Sequence, residues 1–388
     1  MIGYESCKKI YELERASMKR IRIGLIGSGY IAKAHAIALR AMPAVFSVDV
    51  EVVCELLADQ DALKAERQCK AFCFNRWTDD WRVLVADKAV DVVDICAPNF
   101  LHYDIAMEAI AKGKHVYCEK PLALNVEQAL SMTEAAEKAG VKTLVGYNYA
   151  KNPATSLAKQ MIDNGEIGEV VHFRGTHVED YLADPDMPFS WRMQREKAGL
   201  GALGDLCHII NMAQLLVGDI KQVCADMQTV IKQRPIEGTT EMRGVENEDQ
   251  AHMMVRFSGG AIGTIECSRI AHGRKLGLTY EVTGTKGSLV FDQERQSELQ
   301  FYSASDAINR QGFRTILVGP EHPDYAAFCC APGHGLGFND QKIIEVRDLI
   351  EGIVNNKSMW PDFRAALEVD KVNAAAERSF LERRWVSI

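Results

Sequence analysis

The sequence predicts an α/β protein, with a doubly wound parallel-sheet domain followed by an α+β domain that has a large, open and mostly antiparallel sheet. In the first part of the chain, short apolar and β-branched runs alternate with longer helical segments. A glycine-rich turn separates the first strand from the first helix, and beyond residue 150 longer alternating strands are joined by tight glycine turns. We therefore assign residues 18–150 to the first domain, 151–388 to the second, and 1–17 to an N-terminal extension.

The strands of the first domain are continuous apolar runs, which is typical of a parallel sheet covered by helices on both faces. In chain order they are IRIGLIG, VEVVCEL, DVVDICA, HVYCEK and TLVGYN, and helices are predicted between them over about 31–41, 62–69, 101–112 and 125–139.

The second domain begins with the helical segment NPATSLAKQMIDNGEIG and continues as strands of alternating polarity, such as DQAHMMVRFSGGAIGTIECSRIA and LTYEVTGTKGSLVFD. Two closing helices are predicted over about 338–354 and 363–381. The last of them could pack back on the first domain.

The composition is that of an ordinary globular protein, with 47% hydrophobic and 25% charged residues over 388 positions. A net charge of −8 without a dense cluster of Lys and Arg argues against nucleic acid as a partner. The N-terminus lacks an apolar signal core and no later window is a long uncharged apolar run, so we predict a cytoplasmic protein without membrane association. The 11 cysteines are scattered without zinc-type spacing, which predicts reduced thiols and no metal site.

The turn after the first strand, GSGYIA, has the G-x-G-x-x-A form of a dinucleotide fingerprint. Gly27 permits the tight turn, Gly29 lets the backbone approach a pyrophosphate, and Ala32 allows the helix to pack closely on the strand. The helix N-terminus, at Tyr30 and Ile31, attracts phosphate groups. Because strand, turn and helix occur in the required order, we predict a nucleotide-binding Rossmann domain; the alternative is a tight turn without a ligand.

Glu55 ends the second predicted strand, where a carboxylate would accept hydrogen bonds from the adenine ribose and repel a 2′-phosphate. This favours NAD over NADP as the cofactor. The spacing from Gly29 exceeds the usual ~20 residues because PAVFSVD lengthens the preceding loop. The alternative for Glu55 is a solvated strand end.

Three consecutive predicted strands end in polar groups, which a parallel sheet brings to one edge, where doubly wound folds bind ligands. Lys120 is the most informative of them, because a charge at the mouth of a buried strand costs desolvation free energy unless something uses it. We therefore expect a ligand crevice at this edge. The strand ends carry Ala97, Pro98, Asn99 and His102, then Glu119, Lys120 and Pro121, and finally Tyr147 and Asn148.

The motifs GLIGSGYIAKAH, CAPNFLH, CEKPLALN and WRMQREKAGLGALGDLCH together resemble the Gfo/Idh/MocA family of sugar and polyol oxidoreductases. The stretches SWR, GALGD and GLGF are similar to its levoglucosan, glycoside and inositol dehydrogenase branch. The resemblance covers the chain from about Arg20 onward. It implies NAD- or NADP-dependent oxidation of a ring carbinol to a ketone, or the reverse, with the carbohydrate or polyol bound between the Rossmann domain and the second sheet.

The resemblance also implies the catalytic residues. Its lysine in the EKP motif, here Lys120, donates a hydrogen bond to the reacting oxygen, and the following proline commonly follows a cis peptide. An aspartate and a histidine from a helix of the second domain correspond to Asp205 and His208. Histidine suits a base that titrates near neutrality, Lys120 can stabilise developing alkoxide charge, and a cationic nicotinamide nearby should disfavour the protonated lysine.

One departure from the family pattern lies in this helix. Relatives carry D-x-x-x-H, whereas GDLCH places Asp205 and His208 only three apart. The missing residue changes the position of one partner by about 1.5 Å along and ~100° around a helix, so that Gly204 could take the usual aspartate position. The structural alternatives are a satisfied core histidine for His208 and a helix N-cap for Asp205.

Further candidates come from the second domain. Trp191 and Arg192 in SWR could cover the nicotinamide or a sugar face, and the alternative is an anchored loop. His177, Glu179 and Asp180 lie near the expected cleft, and His334 is a weaker candidate in a glycine-flanked loop. The candidate cofactor ligands are Gly27, Gly29, Tyr30, Ile31, Glu55, Ala97, Pro98, Asn99, His102, Glu119, Lys120, Asn148, Trp191 and Arg192. The candidate substrate ligands are Lys120, Tyr147, Asn148, His177, Asp180, Arg192, Asp205 and His208.

The leading hypothesis is an NAD-dependent dehydrogenase that acts on a sugar, glycoside or cyclic polyol. One rival uses the same cofactor for transient oxidation during hydrolysis or elimination of a glycoside, and it differs in giving no net NADH. Another rival is a non-catalytic NAD-sensing regulator on the same fold. Because an open antiparallel sheet leaves a face to bury, we also expect a homodimer or homotetramer.

Overall fold

The computed structural model describes residues 18–388, and the predicted extension over 1–17 lies outside them. The described chain contains a six-stranded parallel sheet, a nine-stranded mixed sheet and a small two-stranded ribbon. The predicted fold class is therefore confirmed.

The first sheet has the strand order β3-β2-β1-β4-β5-β6, which is that of a Rossmann domain. Its strands are β1 (Lys19–Ile26), β2 (Val50–Ala58), β3 (Arg76–Thr78), β4 (Val92–Ile95), β5 (His115–Cys118) and β6 (Thr143–Val145). The helices between them are α1 (Tyr30–Val45), α2 (Ala62–Phe72), α3 (Trp81–Ala86), α4 (His102–Ala111) and α5 (Val126–Ala139). All six strands run parallel, so their carboxyl ends meet at one edge.

The second sheet has the order β16-β15-β14-β13-β7-β12-β11-β8-β17 and is antiparallel except between β7 and β12. Its strands are β7 (Val170–Val178), β8 (Ile220–Gln228), β11 (Gln250–Phe257), β12 (Ile262–Ser268), β13 (Gly277–Gly284), β14 (Gly287–Asp292), β15 (Glu298–Ser303), β16 (Arg314–Leu317) and β17 (Val386–Ser387), and the ribbon pairs β9 (Gln233–Pro235) with β10 (Met242–Gly244). The helices around it are α6 (Pro153–Asp163), α7 (Arg195–Ala198), α8 (Ala202–Asp205), α9 (His208–Val217), α10 (Tyr325–Phe328), α11 (Phe338–Val354) and α12 (Phe363–Glu382).

Both long closing helices pack on the Rossmann domain. Ile343, Val346 and Ile350 of α11 belong to the same buried cluster as the apolar residues of α1 and β1. Helix α12 packs against α5 and also against β8 of the second sheet. The two sheets are therefore tied together by apolar contacts on both sides of the first sheet, which holds the strand ends close to the second domain.

Within the described residues, no single helix is long and apolar enough to cross a membrane. One bent pair, Arg195–Asp205 with His208–Val217, meets the length and composition criteria together, with a bend of 47°. Most of its second member is buried in the core.

Candidate active site

The fingerprint turn leaves open space where a dinucleotide would approach. Gly27 has φ +99°, a conformation that favours glycine, and a Cβ there would lie 2.5 Å from the carbonyl oxygen of Cys96. A Cβ on Gly29, in contrast, would meet nothing within 4 Å. Gly29 caps α1 without any side-chain hydrogen bond, so the first N–H groups of the helix are available to an anion. These features fit the pyrophosphate of a dinucleotide.

The position predicted for Glu55 is corrected by the structure. Strand β2 continues to Ala58, and Glu55 is the extra residue of a bulge, because Cys54 pairs with Ile23 and Leu56 with Gly24. Its carboxylate accepts hydrogen bonds from the side chains of Asn75 (3.0 Å) and Arg76 (2.9 Å) instead of facing the fingerprint turn.

Asp59, directly after β2, is the carboxylate that reaches the fingerprint. Its Oδ2 accepts a hydrogen bond from the Ser28 hydroxyl of the turn and one from Lys64 Nζ at 3.0 Å. Burial acts to raise the pKa of Asp59, but the hydrogen bonds from Ser28 and Lys64 outweigh it, so that the pKa lies below its ordinary value. An ionised carboxylate thus stands where a ribose acceptor is expected.

The loops after β4 and β5 are tied to each other and to the second domain. The two ring nitrogens of His102 each lie 2.9 Å from a carbonyl oxygen, one of Ala97 and one of Pro121. Asn99 donates to the Ala198 carbonyl at 3.0 Å. His102 is buried and Asn99 is held by this bond, so both side chains fix the loops on which Pro98 and Lys120 stand. The Lys120–Pro121 peptide is cis, as the resemblance implies.

Lys120 meets Asp205 despite the shortened spacing. Helix α8 ends at Asp205 and α9 begins at His208, so the helix is broken between these two residues. In an unbroken helix the Asp205 carbonyl would accept from the N–H four residues later. Here Lys120 Nζ donates to that carbonyl at 2.6 Å and to Asp205 Oδ1 at 3.1 Å. With the helix broken here, Asp205, not Gly204, reaches the lysine.

Opposite charges hold this pair ionised. Burial acts to lower the pKa of Lys120, but the charge of Asp205 outweighs it and the pKa is raised. Burial acts in the opposite sense on Asp205, where Lys120, Arg192 and the Tyr181 hydrogen bond together hold the pKa well below its ordinary value. Asp205 therefore keeps Lys120 protonated. The sequence-based expectation of an easily neutralised lysine did not include this partner.

His208 lies beside this pair in an aromatic and histidine-lined pocket. Its ring centroid is 4.5 Å from that of Tyr149 and 5.5 Å from those of Tyr147 and His177. Burial and then the charge of Lys120 hold the pKa of His208 well below its ordinary value, so the imidazole is neutral. Its Nδ1 is buried and has no hydrogen-bond partner among residues 18–388. An unpaired buried nitrogen of this kind is uncommon in a folded protein and needs an explanation.

Tyr181 completes what we call the Lys120 cluster, which consists of Lys120, Tyr181, Asp205 and His208. The Tyr181 hydroxyl donates to Asp205 Oδ2. The sequence predicts its neighbour Asp180 as a substrate ligand, but Asp180 accepts from Lys275 Nζ at 2.7 Å and from the Gly273 N–H at 3.1 Å. Both residues lie in the loop after β7, where no strand or helix period shows which side chain faces Asp205.

The other predicted residues fall into two groups. Tyr147, Asn148 and Glu119 are buried behind the strand ends, where Tyr147 touches Cys207 and Asn148 donates to Gln341 at 3.3 Å. His177 is also buried, with its ring nitrogens 3.0 Å from the Leu206 carbonyl and 3.1 Å from Glu179.

Trp191 is half-buried and Arg192 is exposed, and the charge of Arg192 helps to lower the pKa of Asp205. The Arg192 guanidinium lies over the Trp191 ring at 4.5 Å, and Asn247 anchors the Arg192 carbonyl at 2.8 Å. His334 lies apart, in an exposed turn beside Tyr325.

The fold and this arrangement define an NAD-binding oxidoreductase, and comparisons with known proteins give its family. Residues 21–147 match the model described as "Oxidoreductase family, NAD-binding Rossmann fold", and residues 155–290 match that of the GFO/IDH/MocA C-terminal domain. The chain belongs to the GFO/IDH/MocA oxidoreductase family, within its sugar and polyol dehydrogenases.

Similar proteins include the levoglucosan dehydrogenase of Pseudarthrobacter phenanthrenivorans, which is 39% identical over 385 residues, or 96% of this chain and 99% of that protein. A solved levoglucosan dehydrogenase in complex with NADH and levoglucosan is 40% identical, with a TM-score of 0.93 over 95% of this chain and 100% of that one. An NAD-binding oxidoreductase from Klebsiella pneumoniae is 47% identical, with a TM-score of 0.92 over 95% and 99% of the two chains.

Proposed function

We propose that this protein oxidises a ring hydroxyl of a sugar, glycoside or cyclic polyol to the ketone, or catalyses the reverse reduction. The observation that carries the proposal is the Lys120 cluster, in which a protonated lysine after β5 and a neutral histidine of α9 lie together at the edge of the sheet where the parallel strands end. Removing hydride from a carbinol carbon requires that the hydroxyl proton leave as well, so both a base and a cation are needed.

The residues divide this work between them. NAD, when bound, supplies the hydride acceptor. His208 takes the hydroxyl proton. Its imidazole is neutral, and no carboxylate among the described residues is hydrogen-bonded to it. Lys120, fixed by two bonds to Asp205, donates a hydrogen bond to the same oxygen and stabilises the charge that develops there.

The paired charges support a substrate read through its hydroxyl groups. Lys120 is ion-paired with Asp205, and Glu179 contacts the His177 ring, so the charged side chains nearest to His208 already have partners. A site built to hydrogen-bond hydroxyl groups rejects analogues that lack them, because its buried polar groups are then left unpaired. The names of the similar dehydrogenases, for levoglucosan and inositols, point to the same substrate class.

NADH formation tests the proposal. The purified protein is incubated with NAD at mildly alkaline pH and a panel containing levoglucosan, scyllo- and myo-inositol, aldoses and methyl glycosides, and absorbance at 340 nm is followed. The product of any active substrate is then reduced with borodeuteride, and mass spectrometry identifies the carbon that carried the ketone. We expect net NADH and one labelled ring carbon.

Other outcomes would contradict the proposal in distinct ways. Cleavage of a glycoside without net NADH would indicate transient oxidation for hydrolysis or elimination. Tight NAD binding by calorimetry without turnover in either direction would favour the NAD-sensing regulator.

A further inference from the structure

A second polar cluster lies beneath the strand ends and takes no part in the chemistry proposed above. We call it the buried network; it consists of His35, Asp94, Tyr117, Glu119, Lys342 and Glu345. These residues come from α1, β4, β5 with the residue that follows it, and α11. The side chains of His35 and Lys342 are 0% and 1% exposed, so the network is sealed from solvent.

Glu119 is the member that reaches the Lys120 cluster. Its Oε1 accepts from His35 Nε2 at 2.9 Å and from Lys342 Nζ at 2.6 Å. Its Oε2 accepts from the backbone N–H of Lys120 at 3.1 Å. The carboxylate therefore ties the fingerprint helix, the second domain and the catalytic lysine's own backbone to one point.

The space around Glu119 is matched to its carboxylate. A Cβ on Gly146 of the neighbouring strand end would lie 2.4 Å from Glu119 Oε1. Only glycine at position 146 leaves room for the carboxylate in this place. Hydrogen bonds from His35, Lys342 and the Lys120 N–H, together with the nearby Gly146, hold the Glu119 carboxylate in one position.

The network also keeps Glu119 ionised, and hence an acceptor at both oxygens. Burial acts to raise the pKa of Glu119, but Lys342 and His35 outweigh it and hold the pKa well below its ordinary value. An amide in the same place would present an NH₂ group either to the Lys120 N–H or to the two cations. In the first case one of the three hydrogen bonds, and in the second case two, would be replaced by opposed donors.

We propose that Glu119 is a positioning residue: it fixes the backbone of Lys120 so that Nζ reaches both the carbonyl and the carboxylate of Asp205. This inference rests on the proposed function for its effect on turnover. Its effect on the position of Lys120 does not depend on that function. A misplacement of about 1 Å in a catalytic group can cost ~10²-fold in rate.

The test compares Glu119→Gln with Glu345→Gln. Glu345 is an equally buried carboxylate of the same network that contacts Lys342 (2.9 Å) and Tyr117 (2.7 Å) and has no contact with Lys120. We expect Glu119→Gln to lower kcat by about 10- to 100-fold with a smaller change in KM, and Glu345→Gln to leave kcat within a few-fold of wild type. Equal losses of kcat in the two variants would show that the network acts through stability alone and would overturn the proposal.

A readout that needs no turnover separates this inference from the proposed function. The rate at which an N-hydroxysuccinimide ester modifies Lys120 is followed by peptide mass spectrometry. We expect a several-fold faster modification of Lys120 in Glu119→Gln than in wild type or Glu345→Gln. If no sugar or polyol is turned over but this difference is found, the proposed function fails and the positioning role stands; if the rates are equal, the positioning role fails.

The double variant Glu119→Gln/Lys342→Met guards against simple destabilisation. In Glu119→Gln, His35 and Lys342 each keep one carboxylate, Asp94 and Glu345 respectively, whereas the double variant leaves Glu345 without its cation and should be the less stable of the two. We expect the double variant to unfold at a lower urea concentration than Glu119→Gln, while its kcat and the reactivity of Lys120 stay at the values of Glu119→Gln. A fall of kcat in step with stability would contradict the positioning role.

Discussion

The molecule holds two neighbouring polar clusters that differ in what they leave unpaired. In the buried network each cation lies between two carboxylates, His35 between Asp94 and Glu119, and Lys342 between Glu119 and Glu345. In the Lys120 cluster the lysine and aspartate side chains are 19% and 25% exposed, and the neighbouring histidine keeps an unpaired ring nitrogen.

This difference indicates a structural role for the buried network and a chemical role for the Lys120 cluster. A buried cation that is fully paired rigidifies the fold and cannot exchange its proton without losing its partners. A partly exposed cation can donate a hydrogen bond to a substrate oxygen, and the neutral imidazole beside it can accept a proton. The two clusters share the Glu119–Lys120 peptide, so the first can hold the second in place.

The largest effect should follow removal of the exposed cation. We expect Lys120→Met to lower kcat by about 10³-fold, because the developing oxyanion loses its charged donor. The matched control is Lys221→Met, which removes an exposed lysine paired with Asp219 far from the strand ends. Steady-state NADH formation measures both; a loss below tenfold in Lys120→Met would remove the lysine from the chemistry.

The histidines of the two clusters, His208 and His35, should then respond in opposite ways. His208→Gln removes the proposed base, and we expect kcat to fall by about 10²-fold with little change in unfolding free energy. His35→Gln removes a paired cation, and we expect it to lower unfolding free energy more than it lowers kcat. Urea unfolding and initial rates on the same samples make the comparison, and a stable, inactive His35→Gln with an active His208→Gln would reverse the assignment.

The pH dependence of stability sharpens the same contrast. Burial acts to lower the pKa of His35, but Asp94 and Glu119 outweigh it and raise the pKa from 6.5 to about 9. The folded state therefore keeps a proton that the unfolded state releases above its pKa of 6.5. The contribution of His35 is complete below pH 6.5 and is lost as the pH rises through 9, a change of about 3 kcal/mol in unfolding free energy. Urea titrations at several pH values should show this loss of stability in wild type and not in His35→Gln. An NMR titration in which the His35 ring changes protonation near pH 6.5 would contradict the prediction.

Local patterns predicted the fold well because they act over short distances in the chain. The fingerprint turn, the apolar strands and the closing helices follow from periodicity and glycine placement. Helix α11 has the predicted bounds, 338–354. Strand β2 was predicted to end at Leu56 but continues to Ala58. The bulge at Glu55 has no signature in the sequence.

The site was predicted less completely because its contacts are long-range. His35 and Lys342 meet Glu119 from 84 and 223 residues away, and nothing in the local pattern indicates either partner. The helix break between Asp205 and His208 is likewise a tertiary result: the shortened spacing was visible, but its accommodation by a bend was not. Tyr181 was not predicted because it lies in the loop after β7, where the sequence carries no period that indicates which side chain meets Asp205.

The smallest expected effect concerns Asp59, whose pairing is intermediate between the two clusters. Its carboxylate already accepts from Ser28 and Lys64, yet it lies beside the open side of the fingerprint turn. We expect Asp59→Asn to weaken NAD binding by roughly tenfold, since the ribose hydroxyls lose a charged acceptor, and to weaken discrimination against NADP because the repulsion of a 2′-phosphate is removed. Glu55→Gln is the matched control, because Glu55 is paired with Arg76 in the bulge. Titration of intrinsic fluorescence with NADH and NADPH measures both variants. If Glu55→Gln weakens NADH binding and Asp59→Asn does not, then Glu55 is the ribose carboxylate, as the strand pattern first indicated. That result would also show that a carboxylate paired with its neighbours can still bind a ligand.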